Sequence, residues 1–208
     1  MYVIGLTGGI GSGKSTVARM LTQKGAKLLS ADAAGHEVYE PARPAYQEIV
    51  DAFGRDIVGA DGKIDRKVLG PIVFSDPEQL RRLNAITHPR MKELMGEKLA
   101  AERAGGARIA VLEAALLFDA GWDDLTDEVW VTLTPPEVAA RRTAERSGIS
   151  VEEALSRIRT QMSSEERIAR SQVVIDTDCA LAQTEKQVGE EWERLRERLA
   201  TPSAGRGV

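Results

Sequence analysis

Nine consecutive residues, Gly8-Gly9-Ile10-Gly11-Ser12-Gly13-Lys14-Ser15-Thr16, constrain this chain more than anything else in it. They match glycine, any four residues, glycine, lysine, then serine or threonine, and each position has a physical reason. Glycines let backbone N–H groups wrap a phosphate at close range. A helix opening near Lys14 turns the positive end of its dipole toward the same point. Lys14 brings a mobile charge to the β- and γ-phosphates, and the Ser15 hydroxyl is placed to ligand Mg²⁺. The motif follows the apolar run Tyr2–Thr7 and precedes Val17, Met20 and Leu21 at helical spacing. Strand, loop and helix therefore come in the order a triphosphate cradle requires, and Gly8, Gly9, Gly11, Ser12, Gly13, Lys14, Ser15 and Thr16 are the expected nucleotide contacts.

Gly25 stops the first helix, and a second short apolar run, 26–30, ends just before Asp32. Strand, helix, strand in so few residues implies a parallel pair with a right-handed crossover, which puts Asp32 beside the glycine-rich strand. Further buried runs at 109–113, 129–133 and 173–175 complete an α/β pattern, a doubly wound five-stranded parallel sheet. The expected nucleotide-binding core is 1–32, 108–134 and 171–200. Residues 33–107 hold no strand pattern and far exceed a simple crossover, so a helical, substrate-binding insertion is expected there. Within it His88-Pro89 reads as the end of a helix. Residues 135–170 form a second, highly charged insertion, read as a helical lid. The last helix, 181–199, carries Thr184, Val188, Trp192, Leu195 and Leu199 on one stripe, and the tail 201–208 reads as disordered.

Composition excludes several classes. Apolar residues at 42% rule out a disordered chain, and a net charge of −4 gives no reason to expect a nucleic-acid partner. One cysteine, Cys179, and two histidines, His36 and His88, cannot build a disulfide framework or a Cys/His zinc site, and a reducing cytoplasm fits best. The first apolar run is too short for a signal peptide, and no stretch is long enough to span a membrane. A monomer or weak homo-oligomer is expected.

The loop alone does not separate kinases from other nucleotide hydrolases, but a GTPase needs an Asn-Lys-x-Asp segment and none occurs. The Asp-x-x-Gly match at 51–54 follows helix-like spacing and is a decoy. Asp32 can accept the proton of an attacking hydroxyl or orient it; its bland alternative is a cap on a helix starting at Ala33. Glu113 ends the third strand run, where an acid can hold magnesium through water or serve as a plain strand-end charge. Arginines 141, 142, 146, 157, 159, 167 and 170 alternate with glutamates, so a solvated face is the default. Arg142 and Arg146, sharing a helical face after the fourth strand, are the preferred pair for cations over the migrating charge. His88 is a candidate substrate contact or a helix-terminal histidine; His36 is exposed or on the substrate side.

Longer stretches then become specific. They include IGLTGGIGSGKSTVA from Ile4, SADAAGHEV from Ser30, DGKIDRKVL from Asp61 and VFSDPEQLRRLNAITHP from Val73. LLFDAGW from Leu116, RRTAERSGIS from Arg141 and QMSSEERIARSQVVID from Gln161 complete the set. Together the chain resembles the dephospho-CoA kinase family over nearly its whole length. The resemblance implies a P-loop kinase-like fold and Mg²⁺-dependent transfer of the ATP γ-phosphoryl group to the ribose 3′-hydroxyl of dephospho-CoA, giving coenzyme A. It also implies Asp32 as general base, Arg142 as the lid arginine near the phosphates, and the insertion over the CoA. Ala115, Asp119 and Thr177 depart from the family's usual proline, glutamate and asparagine, and the adenine contacts stay unassigned. A nucleoside or nucleotide kinase is the alternative within enzymes. Outside them stands a non-catalytic switch that binds ATP, against which the long insertion and Asp32 both argue.

Overall fold

The computed structural model describes residues 1–201. Its centre is a five-stranded sheet built from β1 (Tyr2–Thr7), β2 (Lys27–Ser30), β3 (Ile109–Glu113), β4 (Glu128–Leu133) and β5 (Val173–Asp176). The strands run in the spatial order β2-β3-β1-β4-β5 and every pairing is parallel. Parallel strands need crossovers, and helices on both faces supply them.

Side chains alternate across a strand, and the core divides accordingly. Ile4, Leu6, Val111, Trp130 and Ile175 face α1 (Lys14–Gln23) and α9 (Leu181–Ala200), packing with Val17, Leu21, Val188 and Trp192. Val3, Ala110 and Leu112 face the other way, into a cluster with Ile49, Leu69, Leu83, Met91 and Met95. That second cluster is supplied by α2 (Ala31–Ala34), α3 (Pro44–Phe53), α4 (Arg66–Phe74) and α5 (Pro77–Ala104), all lying between β2 and β3. After β4 come α6 (Pro136–Ser147), α7 (Val151–Arg159) and α8 (Ser164–Ala169).

Four expectations need correction. The chain places β3 between β1 and β2, so Asp32 does not stand beside the glycine-rich strand; Glu113 does, paired with Leu6 on one side and Ser30 on the other. Nor does Asp32 end a strand or cap a helix. It lies in the first turn of α2, whose N-cap is Ser30, with its hydroxyl accepting from the Ala33 N–H. The helix expected to end at His88 runs on through Pro89 to Ala104. Leu83, Thr87, Met91, Leu94, Met95 and Leu99 form one buried stripe across the proline, while Pro89 points outward. Burying that stripe offsets the roughly 3 kcal/mol that an interior proline costs. Finally, Leu199 leaves its stripe: it is 45% exposed, in the last turn of α9 beside Met1 and Tyr2 at the amino ends of the strands. The Asp51 decoy is confirmed as a helical residue of α3. The tail call, apart from Thr201, lies outside the described residues.

At those amino ends one buried acid ties three elements together. Glu128 is 6% exposed and accepts from Trp130 Nε1 at 2.6 Å, from the Tyr2 hydroxyl at 3.2 Å and from Arg198 of α9 at 2.6 Å. Burial first, then this carboxylate, pushes the Tyr2 phenol up to about 12. Glu128→Leu strands the Trp130 N–H and the Arg198 charge together, an expected cost of about 3 kcal/mol and a fall in melting temperature of roughly 6–12 °C. Arg198→Ala removes a half-exposed cation but leaves the buried carboxylate its Trp130 and Tyr2 donors, and a smaller loss of about 1–2 kcal/mol is expected. Thermal denaturation of both variants checks the order; equal losses would refute it.

Candidate active site

The glycine-rich loop leaves β1 at the carboxyl edge of the sheet and enters α1 through Gly13, held in the left-handed conformation at φ 85°. Gly11 also has positive φ, 74°, and a Cβ there would lie 2.3 Å from the Ala139 carbonyl oxygen of α6. A Cβ on Gly8 would lie 2.3 Å from Thr132 Oγ1. The loop therefore passes so close to β4 and α6 that only glycine fits at these positions.

Side chains then fix its path. Ser12 and Thr132 share a hydroxyl–hydroxyl bond of 2.7 Å, and Thr177 Oγ1 lies 2.9 Å from the Ser12 carbonyl and 3.0 Å from that of Leu133. Gln161, between α7 and α8, accepts from the Ile10 N–H at 2.9 Å. Lys14 folds back over the loop and donates to the Gly8 and Gly9 carbonyls at 2.8 and 3.0 Å. Thr16 continues the first turn with its N–H on the Gly13 carbonyl.

The charges converge on Lys14. Burial lowers its ammonium to about 8, Asp32 and Glu113 pull it back up, and Arg167 and Arg146 push it further down. Two acids and two further cations thus act on Lys14 through space. Of the acids, Glu113 is buried and accepts from the Ser15 hydroxyl at 3.1 Å, while Asp32 is exposed. Ser15 and Glu113 present hard oxygen donors side by side, a set suited to a magnesium ion that takes its other ligands from phosphate and water. No cluster of three acidic, histidine or cysteine ligands exists among the described residues, so a cage made wholly of protein is absent there.

Two cavities open around these groups, one of them bordering the loop itself. One, about 270 Å³, lies between the start of α2 and α5 and is lined by Asp32, His36, Tyr39, Arg66, Thr87 and Trp122 among others. The other, about 680 Å³, runs from Gly9 and Ile10 under α7 and α8. Asp32 is the link between the first cavity and the loop, since it lines the one and acts on Lys14 in the other.

The remaining predicted residues take distinct places. Arg142 donates to the Thr177 carbonyl at 2.9 Å, and Arg146, one turn on, is exposed but close enough to act on Lys14. His88 does not line the smaller cavity. It stands behind Trp122, which meets it edge-on at 6.0 Å and donates Nε1 to its carbonyl at 3.2 Å. Burial lowers its proton affinity, so the ring is neutral near pH 7. The solvated-face reading holds for Arg157, paired with Glu153, and for the exposed Arg141.

Two residues escaped the sequence reading. Arg66, at the start of α4, reaches His36 Nδ1 at 2.6 Å and stacks on Tyr39 at 5.8 Å, with no carboxylate partner among the described residues. Its place after an N-cap aspartate, Asp65, was the available signal. Arg167 is buried against the loop, yet its glutamate neighbours in sequence make it look like one more surface charge.

Comparison with known proteins agrees with this geometry. The family model described as dephospho-CoA kinase matches residues 2–183. A dephospho-CoA kinase of Geobacter sulfurreducens is 46% identical over 192 residues, covering 92% of this chain and 98% of that protein. A solved Thermus thermophilus protein superposes with a TM-score of 0.77 at 34% identity, covering 96% of this chain and 98% of that one. Dephospho-CoA kinase from Campylobacter jejuni gives 0.71 at 26% identity, with 95% and 98% covered. The chain, with its glycine-rich loop at the centre of a 2-3-1-4-5 parallel sheet, belongs to the dephospho-CoA kinase family.

Proposed function

We propose that this chain is an ATP-dependent kinase that phosphorylates the ribose 3′-hydroxyl of dephospho-CoA, and that Asp32 is where donor and acceptor meet. The observation that carries this reading is the double position of Asp32, on the acceptor-side cavity and within the electrostatic reach of Lys14. A hydroxyl held in that cavity can give its proton to Asp32 as its oxygen approaches the γ-phosphorus, while the bond to the ADP oxygen breaks. Because the transition state is loose, Asp32 does much of its work by orienting the hydroxyl.

Lys14 moves from the loop carbonyls to the phosphates and keeps its charge there, since an adjacent polyanion favours the protonated amine. The backbone N–H groups of Gly9 to Thr16 and the start of α1 receive the phosphate oxygens. Mg²⁺, when bound, would supply charge that neutralises the phosphates. The adjacent Ser15 hydroxyl and Glu113 carboxylate would hold it. Arg142 and Arg146 extend the positive wall from α6. On the acceptor side Arg66, free of a carboxylate, suits the diphosphate that dephospho-CoA carries. Trp122, backed by the neutral His88, walls the cavity with apolar surface. Helices α2–α5 would cover the acceptor, and α6–α8 would act as the lid that excludes water. No described helix is long and apolar enough to cross a membrane. A cytoplasmic enzyme, monomeric or weakly self-associating, fits this reading.

Purified protein given Mg-ATP should release ADP only when dephospho-CoA is present. Equal turnover with AMP or adenosine would favour a nucleotide or nucleoside kinase, and none with any acceptor would favour a binding switch. Asp32→Asn should lower kcat by about 10²-fold or more while leaving ATP affinity and melting temperature near wild type, because Ser30 already caps α2. A folding defect without a specific kcat loss would overturn the role assigned to Asp32. Lys14→Ala should lose most activity, with ATP binding measured in parallel to show where the loss arises.

A further inference from the structure

The arginines between β4 and β5 differ in what satisfies them. Arg157 pairs with Glu153, Arg170 pairs with Asp123 and covers the Phe118 ring at 4.1 Å, and Arg142 holds a backbone carbonyl. Arg167 has no such arrangement. It is 4% exposed, its Nη1 donates to the Met162 carbonyl at 2.5 Å, and its Nη2 is buried without any partner. It forms no ion pair among the described residues; Asp119 and Glu166 act on it only through space. A buried guanidinium without a counter-charge is costly, and folds seldom keep one unless something else supplies the anion.

Its position indicates what that anion is. Arg167 Nη1 lies 3.7 Å from the point a Cβ on Gly9 would occupy, and Gln161, bonded to the Ile10 N–H, lies 3.4 Å from the same point. The segment joining α7 to α8 is thus fastened to the loop, and Arg167 lies beside Gly9, whose carbonyl Lys14 also contacts. Two cations, several backbone N–H groups and a helix N-terminus converge there, on a second wall that sequence spacing assigned to α6 instead.

We propose that Arg167 is a catalytic residue of the phosphoryl transfer, its guanidinium turning its unpartnered Nη2 to the terminal phosphate oxygens of ATP as the α7–α8 segment settles on the nucleotide. The Met162 carbonyl holds the guanidinium beside Gly9 beforehand, so only a small shift brings its charge onto the moving phosphoryl group. It takes no proton, and the acceptor proton still passes to Asp32. This inference rests on the loop as the ATP site and is independent of the acceptor's identity.

Arg167→Met and Arg167→Lys test it, with three readings: melting temperature without nucleotide, calorimetric binding of inorganic tripolyphosphate, and steady-state ADP formation. Arg167→Met exchanges an unpaired buried charge for an apolar chain of similar length. It should therefore melt no lower than wild type, bind tripolyphosphate at least about tenfold more weakly, and lose about 10²-fold or more in kcat. Arg167→Lys should recover part of the binding. Loss of turnover with tripolyphosphate affinity intact also supports the proposal, placing the contact in the transition state. Wild-type binding and turnover in Arg167→Met would overturn it, as would a lowered melting temperature with wild-type tripolyphosphate affinity. If Arg167→Met does not fold, the lysine variant decides by the same readings. The tripolyphosphate arm needs no acceptor, so its outcome stands apart from whether dephospho-CoA is the substrate.

Discussion

The hydroxyl bonds that fasten the glycine-rich loop to β4 and β5 are what the rest of the site depends on. A loop of glycines has many conformations, and a phosphate cradle needs one. Ser12 on Thr132 and Thr177 on Ser12 hold that conformation from two strands at once, and Gln161 holds it from the α7–α8 side. Thr177 stands where the family usually has asparagine. Its Oγ1 spans the Ser12 and Leu133 carbonyls, while its own carbonyl receives Arg142. One residue at the end of β5 thereby sets both the loop and an arginine aimed at it. Cross-strand bonds of this kind cost little entropy at the moment of binding, because they are already made.

The same rigidity explains why so many like charges can sit together. Lys14 and Arg167 are desolvated by burial and carry like charge, which by itself opposes folding. Asp32 and Glu113 relieve part of that repulsion, and the two hydrophobic clusters above and below the sheet hold the strands against the remainder. A site strained toward positive charge binds a triphosphate more tightly for it, since the nucleotide replaces repulsion with pairing.

Much of this was legible along the chain and some was not, for definable reasons. The strands were visible because each is a short apolar run, β-branched in all but β2, and the loop because its chemistry is local. Strand order was not, because which strands pair is a non-local choice: adjacency in sequence suggested β1 beside β2, and the chain inserts β3 between them. The long α5 was missed because Pro89 is a strong local breaker that a buried stripe from Leu83 to Leu99 outweighs. Arg167 was indistinguishable from its exposed neighbours because burial is a tertiary property. Its capping box, Ser163 with Glu166, marks the start of α8 without showing which face turns inward.

The inserted strand also separates the two acids by function. Neighbouring strands lie about 4.8 Å apart, so Glu113 on β3 is one strand from the loop and Asp32, just past β2, is two. At one strand's distance the carboxylate touches Ser15 of the loop itself. At two it leaves the loop's own side chains and borders the neighbouring cavity instead. Had β2 paired directly with β1, as the order of elements suggested, Asp32 would stand where Glu113 stands. The 2-3-1-4-5 order therefore sets the spacing that gives the loop serine one carboxylate and the neighbouring cavity another, the spacing on which the proposed division between donor and acceptor rests.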